Sequence, residues 1–372
     1  MPDSATELPL QDRLVSLDAL RGFDMFWIIG GDVLGRALRD LADWPIFQFA
    51  ARQLEHVEWH GMVFYDLIFP LFVFVMGVSI PLAFTKRLAR GESRATLYGH
   101  LVRRAIILFA LGVFFNGGLT KPWPDVRIAG VLQRIALCYL FGGIIYLNFK
   151  PRGQALGLAF CLVLYWALMA LVPVPGYGAG HYTPEGNLAA YLDRLYLPGR
   201  KYFGNWDPEG YLSTIPAVGT ALVGILSGQL LLGRSVSGRG KAAILFVAGL
   251  AGVLVGWLWD QSFPVNKKIW TSSFVLVAGG YSCLLLGAFY LVIDVWKFRR
   301  WAFPLVVIGM NAITIYIGVE IIGFADVAGR LAGGDIAPMF GSGSKLVLAL
   351  LQLALEWGVL YFLYRRRIFL RI

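Results

Sequence analysis

The stretch LEHVEWHGMVFYDLIFPLFVFVMG, residues 54–77, decides the fold of this chain. Its second half is almost wholly apolar, and the apolar run continues to residue 84. A segment that crosses about 30 Å of hydrocarbon needs roughly 20 apolar residues. It must be a helix or part of a closed barrel, because only these satisfy their own backbone hydrogen bonds in lipid. The length of this run favours a transmembrane helix.

The composition extends this conclusion to all 372 residues. Hydrophobic residues make up 58% of the chain and charged residues only 15%, whereas soluble domains are about a quarter charged. The net charge of +10 does not indicate nucleic-acid binding, because Lys and Arg lie in short clusters between apolar runs. Three cysteines within apolar runs, without metal-ligand spacing, predict neither a disulfide framework nor a zinc site.

Ten apolar segments are long enough to be predicted as spans. They cover residues 20–39, 61–84, 102–118, 128–149, 155–173, 211–233, 242–259, 270–294, 303–323 and 345–364. The predicted fold is therefore an all-α polytopic bundle of about ten transmembrane helices. We expect residues 1–12 to form a polar tail and residues 13–372 to form a single transmembrane domain.

Basic residues predict the orientation of this bundle. The N-terminal region and every second connecting segment together hold 20 of the 33 Lys and Arg residues. The positive-inside rule puts those segments, and both termini, in the cytoplasm. The other connecting segments, which include 40–60, 119–127, 174–210 and 260–269, are then extracytoplasmic.

Charged side chains inside predicted spans cost about 2.5–3.5 kcal/mol each on insertion scales, so they mark functional sites by default. They are Asp24, Asp32, Asp66, Arg134 and Glu320. Interhelical ion pairing is the other explanation, for instance between Arg134 and either Asp24 or Asp66.

Two of the four histidines, His56 and His60, stand just before the second span. If the helix begins early, their i, i+4 spacing puts both imidazoles on one face. A metal site would need further ligands that the surrounding sequence does not offer. A neutral imidazole is also the usual general base near neutral pH, so either histidine is a candidate for catalysis.

Eight motifs occur in an order that resembles the heparan-alpha-glucosaminide N-acetyltransferase family, which includes a lysosomal enzyme and bacterial relatives. They are RLVSLDALRG (13–22), HVEWHG with DLIFPLFVFVMGVSI (56–80), RIAGVLQR (127–134), YLDRLYL (191–197), DPEG (207–210), PVNKKIW (264–270), GMN (309–311) and YRRRIFLRI (364–372). The resemblance runs from about residue 13 to residue 372.

The resemblance implies a transmembrane enzyme that transfers an acetyl group from cytoplasmic acetyl-CoA to the amine of a glucosamine-type sugar on the extracytoplasmic side. The family's catalytic histidine falls on His56, which would act as general base or as acyl acceptor. A second active-site residue, an asparagine in the lysosomal enzyme, falls on Asp32. We expect this carboxylate to orient His56 or to receive a proton from the amine.

The remaining polar motif residues are candidates for substrate binding. They are His60, Asp66, Arg127, Gln133, Arg134, Asp207, Glu209, Asn266, Lys267, Asn311 and Glu320. Acetyl-CoA carries phosphates, and Arg21, Arg103 and Arg104 could bind them, although the positive-inside rule also explains arginines at these places. No metal is expected.

Compared with the lysosomal relative, we expect this chain to lack an N-terminal lumenal domain and the span after it. A bacterial inner membrane is the expected location. The expected partners are acetyl-CoA, an amino-sugar acceptor and the lipid bilayer, with no nucleic acid, and a homodimer stays open. Two other functions also stay open, a permease for amino sugars or saccharides and an O-acyltransferase acting on cell-envelope glycans.

Overall fold

A computed structural model describes residues 14–118 and 120–370, so the predicted tail, residues 1–12, lies outside the described residues. Helices dominate the described part, which has no strand beyond two isolated β-bridges. The α-helices are α1 Val15–Leu41, α2 Pro45–Gln53, α3 Phe64–Ala89, α4 Arg94–Phe115, α5 Val131–Asn148, α6 Pro151–Leu171, α7 Leu188–Tyr196, α8 Thr214–Leu232, α9 Gly238–Trp259, α10 Ser272–Phe289, α11 Phe303–Met310, α12 Ala312–Ile322, α13 Phe324–Ala332 and α14 Ser344–Arg365.

Eight of the described helical segments are long and apolar enough to cross a membrane. They contain α3, α4, α5, α6, α8, α9, α10 and α14. The pair α11 and α12, bent by 65° at its break, is a ninth. The first predicted span lies in α1, which has 27 residues but too many charged side chains to count among these segments. The prediction of an all-α polytopic membrane bundle is confirmed.

The central helix is α3, which forms because its sequence is apolar almost throughout and buries most of its surface. It packs against α8 at two glycines. A Cβ atom on Gly77 would lie 2.3 Å from the carbonyl oxygen of Ala221, and one on Gly224 would lie 2.1 Å from that of Phe74. The two backbones are therefore in direct contact, as small residues allow between membrane helices.

A second close glycine contact joins α1 to α11. A Cβ atom on Gly22 would lie 1.7 Å from the carbonyl oxygen of Leu305, and one on Gly309 would lie 1.9 Å from that of Asp18. No larger side chain fits at either position without separating the helices, so α11 is held firmly on α1.

Several connecting segments converge at one end of the bundle, which we call the site end. They are residues 54–63, 126–130, 197–213 and 260–271. They are joined by contacts such as Arg127 Nε to Asp207 Oδ2 at 2.8 Å and the backbone N–H of Gly61 to the carbonyl oxygen of Val265 at 2.9 Å. The start of α1 lies at the opposite end, where the backbone N–H of Ser16 donates to Asp294 at 3.1 Å. The loops predicted to share a side thus meet in the folded chain.

Candidate active site

The segment that carries both histidines is not helical, because α3 begins only at Phe64. Side chains accept hydrogen bonds from the backbone N–H groups at the start of α3. Asp66 accepts from the backbone N–H of Val63 at 3.2 Å, and Gln53 accepts from that of Phe64 at 3.1 Å. The expectation that His56 and His60 share a helix face is therefore wrong.

His56 is bonded to a buried carboxylate. Its Nδ1 lies 2.8 Å from Oδ1 of Asp66, whose side chain is 1% exposed. The other carboxylate oxygen accepts from the backbone N–H of Val57 at 3.4 Å and from that of Val63. Because a carboxylate only accepts hydrogen bonds, the neutral imidazole carries its proton on Nδ1, facing Asp66, and Nε2 then has the lone pair.

Lys267 completes the group. Its Nζ lies 3.0 Å from Nδ1 and 3.2 Å from Nε2 of His56, and 3.5 Å from Oδ1 of Asp66. Burial lowers the pKa of Lys267, although Asp66 and Glu209 favour its charged form. The ring of Tyr65 stacks on the imidazole, with 4.7 Å between the centroids. The imidazole is thus fixed by a carboxylate, an ammonium group and an aromatic ring.

This group lies on the wall of a cavity of about 500 Å³. Titratable side chains form one part of the lining, namely those of His56, Asp66, Arg127, Glu209, Lys267 and Lys268. Aromatic rings stand beside them, namely Trp59, Tyr202, Phe203 and Trp270. The rest is mainly apolar and comes from helices, with Met25, Ile28, Ile68, Phe72, Ile135 and Ile313. The cavity has a polar part at the site end and an apolar part within the bundle.

Arg127 organises the carboxylates of the polar part. It forms two hydrogen bonds of 2.8 Å to Asp207 and one of 2.7 Å to Glu209. Burial alone would raise the pKa of Asp207, but the bonds and charge of Arg127 lower it. Burial, helped by the charge of Asp207, raises the pKa of Glu209 to about 7. Glu209 can therefore change its charge near neutral pH.

Asp193 on α7 holds the loop that carries these two carboxylates. It accepts from the backbone N–H groups of Asp207 and Tyr211, each at 3.2 Å. A Cβ atom on Gly210 would lie 2.0 Å from the Asp193 carboxylate, so only glycine fits there. Burial raises the pKa of Asp193 to about 6. Asp193 of the YLDRLYL motif therefore holds the DPEG loop in place.

Five predicted site residues line the cavity, and they are His56, Asp66, Arg127, Glu209 and Lys267. Asp207 joins them through Arg127. His60 lies outside the lining and is bonded to Asp260 at 2.8 Å. Asn266 supports the loop from behind, accepting from the backbone N–H of Ile269 at 3.2 Å.

Other predicted residues lie behind or beyond the cavity wall. Arg134 is buried, donates to Ser213 at 2.5 Å and lies 5.1 Å from the ring centroid of Trp270. The expected ion pair between Arg134 and Asp24 or Asp66 does not form among the described residues. Gln133 is buried beside Gly112 of α4, and Glu320 is exposed on α12.

Asp32 lies outside the lining and forms an ion pair with Arg36, with 58% of its own side chain exposed. The carboxylate in contact with His56 is that of Asp66. Sequence matching selected Asp32 by its place late in the first span. It could not show that the cap of α3 would point a different carboxylate at the imidazole.

The three arginines expected to bind phosphates also lie outside the lining. Arg21 donates to Ser79 of α3 at 3.0 Å. Arg104 lies 4.8 Å from the ring centroid of Tyr139, and Arg103 is exposed.

Sequence reasoning missed several lining residues, among them Tyr65, Lys268 and Trp270. Each is adjacent to, or within three positions of, a residue that was selected. The motifs thus marked the correct segments, but only the backbone conformation shows which side chains of a segment point into the cavity. Among the described residues, no group of three or more His, Cys, Asp or Glu side chains could hold a metal ion.

The sequence matches a known protein family. Residues 13–255 match the family described as "Heparan-alpha-glucosaminide N-acetyltransferase, catalytic". Two similar proteins are both named heparan-alpha-glucosaminide N-acetyltransferase. The one from Mus musculus is 28% identical over 379 aligned residues, and the one from Homo sapiens is 29% identical over 380. Each alignment covers 86% of this chain and 56% of the relative, so the chain spans about half the length of these relatives. Since the family match covers more than half of its residues, the chain belongs to the heparan-alpha-glucosaminide N-acetyltransferase catalytic family.

Proposed function

We propose that this chain transfers an acetyl group from cytoplasmic acetyl-CoA to the amine of a glucosamine-type sugar on the extracytoplasmic side of a bacterial inner membrane. Family membership and the names of the relatives support acetyl transfer. The observation that carries the proposal is the placement of His56 between Asp66 and Lys267 at the polar part of a cavity that continues into the bundle.

His56 is the proposed general base. Its Nε2 takes a proton from the amine as the nitrogen attacks the thioester carbonyl, and Asp66 stabilises the imidazolium that forms. Lys267 Nζ, 3.2 Å from Nε2, is placed to donate to the developing oxyanion. The intermediate collapses by breaking the carbon–sulfur bond, and the proton held by His56 passes to the departing thiolate.

A covalent route uses the same atom. Nε2 of His56 attacks the thioester carbonyl, the thiolate leaves, and the acetylated imidazole is then attacked by the amine. The two routes differ in one observable. If the acetyl group passes through His56, enzyme mixed with labelled acetyl-CoA alone releases free CoA and retains label. If His56 is only a base, no label is retained.

The polar part of the cavity suits an amino sugar. Glu209 offers a carboxylate that attracts an ammonium group. Trp59, Tyr202 and Phe203 offer aromatic faces of the kind that line small-molecule sites. The apolar part suits the pantetheine arm of the donor, and Arg21, near the start of α1, is the proposed contact for its phosphates.

The test supplies purified protein with labelled acetyl-CoA and glucosamine. We expect acetylated sugar and free CoA in equal amounts, and we expect His56→Ala to form neither. His100→Ala is the matched control, because His100 also lies near a carboxylate, 3.7 Å from Glu92, but stands at the opposite end. Wild-type protein that makes no acetylated sugar and hydrolyses no thioester would refute acetyl transfer. Sugar uptake into vesicles without acetyl-CoA would instead support a permease, and acetyl esters on an amine-blocked acceptor would support O-acyl transfer.

A further inference from the structure

Two motifs have no place in the mechanism above, namely GMN at 309–311 and YRRRIFLRI at 364–372. The structure brings them together. Nδ2 of Asn311 donates to the carbonyl oxygen of Ile368 at 3.1 Å, and Oδ1 of Asn311 accepts from the backbone N–H of Leu370 at 3.3 Å. One carboxamide thus pairs with the peptide groups of two residues that are two positions apart, as a neighbouring β-strand would.

The chain reaches Asn311 because of the way α14 ends. The backbone N–H of Ile368 donates to the carbonyl oxygen of Leu363 at 2.9 Å, and that of Arg367 donates to Tyr364 at 3.0 Å. Arg367 has a φ of 57°, the left-handed conformation that closes such a helix end and reverses the chain. Residues 366–370, which we call the C-terminal strap, therefore turn back toward the bundle.

Asn311 lies at the break between α11 and α12, with φ −128° and ψ 34°. It is 1% exposed. On one side of it, α11 is held on α1 by the close contact at Gly309. On the other side, α12 buries only Ala312 and Ile315. The strap is therefore bonded at the residue where the direction of the chain changes from α11 to α12.

The direction of α12 matters because this helix forms part of the cavity wall. Ile313 and Tyr316 both line the cavity, two and five positions after Asn311. The ring of Tyr316 stacks on that of Phe115 of α4, with 4.6 Å between the centroids. A change in the angle at Asn311 would move both lining side chains and open this contact.

We propose that Asn311 is a positioning residue for the donor, and that the C-terminal strap bonded to it fixes the angle of α12 and hence the apolar part of the cavity. The inference rests on the proposed function, because it assigns that part of the cavity to acetyl-CoA. Asn311 touches no reacting atom in this account. It acts through Ile313 and Tyr316.

The first test measures kinetics of Asn311→Ala and of a chain that ends at Arg366. Both lose two hydrogen bonds, so we expect the KM for acetyl-CoA to rise about tenfold while the KM for the sugar stays unchanged. Asn311→Asp keeps the acceptor for the backbone N–H of Leu370, so its KM for acetyl-CoA should lie between those of the wild type and Asn311→Ala. Asn148→Ala is the matched control, because its amide bonds to Tyr98 and Ile144 far from α12. Equal increases in both KM values, or none, would overturn the proposal.

The second test does not need turnover. Spin labels at Ile321 of α12 and Leu156 of α6, which are 65% and 72% exposed, report the angle of α12. The three native cysteines are replaced first. Asn311→Ala and the shortened chain should shift and broaden the distance distribution, and Asn148→Ala should not. An unchanged distribution in both variants would refute the role of the strap even if the wild type transfers acetyl groups. If the variants shift the distribution but the wild type is inactive, only the proposed function is refuted.

Discussion

Asp66 has two tasks in one side chain. One oxygen bonds to Nδ1 of His56, and the other bonds to the backbone N–H of Val63 at the start of α3. The orientation of the imidazole is therefore tied to the point where a central helix begins. This explains how a histidine in a non-helical segment can hold a fixed tautomer.

Asp66→Asn tests this arrangement. The amide can still cap α3 through its oxygen, but an N–H facing Nδ1 would force the opposite tautomer and remove the lone pair from Nε2. We expect kcat to fall about 100-fold or more, the range of general-base effects, with the KM for acetyl-CoA unchanged. Asp260→Asn, which alters the separate pair with His60, is the control. An Asp66→Asn variant that keeps most of the wild-type kcat would contradict the assignment.

The pKa of Glu209 predicts that the KM for the sugar depends on pH. Burial raises its pKa to about 7, so it is charged above that pH and neutral below it. If its charge attracts the amine, the KM for the sugar should rise as the pH falls from about 8 to about 6. Glu209→Gln should raise this KM at high pH and flatten the profile. A profile that keeps its slope in the Gln variant would show that another group is responsible.

Among the helices, the closest contacts are made at glycines. Gly309→Ala puts a methyl group 1.9 Å from the carbonyl oxygen of Asp18, so α1 and α11 must separate. We expect a loss of about 1–3 kcal/mol, as for other overpacked sites, seen as a lower melting temperature in detergent. Gly329→Ala is the control, because its Cβ would meet nothing within 4 Å. Equal melting temperatures for the two variants would mean that the contact is not tight.

At this scale the sequence predicted most of the fold. Apolar length located α3 and most of the other long helices within a few residues, because the bilayer requires such runs. The exception is α4, which begins at Arg94 and not at residue 102, since its first turns are polar. It could not show that residues 54–63, which carry both histidines, are not helical, since that depends on which side chains bond to the first N–H groups of α3. It also could not pair His56 with Lys267, which are 211 positions apart. Matching motifs placed both segments in the site, and the folded chain gives their contacts.

In the whole molecule, the connecting segments lie at two opposite ends of the bundle, and the cavity extends inward from one of these ends. The end with His56 carries the carboxylates and aromatic rings, whereas Arg21 lies near the start of α1, at the other end. With 20 of the 33 basic residues predicted on that other side, the arrangement suits a donor and an acceptor that arrive from opposite faces.

The most direct test reconstitutes the protein in sealed vesicles of known orientation, with labelled acetyl-CoA supplied on one face and glucosamine on the other. The account predicts acetylated sugar only when acetyl-CoA meets the face at which α1 begins and the sugar meets the face that carries His56. It also predicts no product from His56→Ala in either arrangement. Product formed with both substrates confined to the His56 face, or full activity of His56→Ala, would contradict the account.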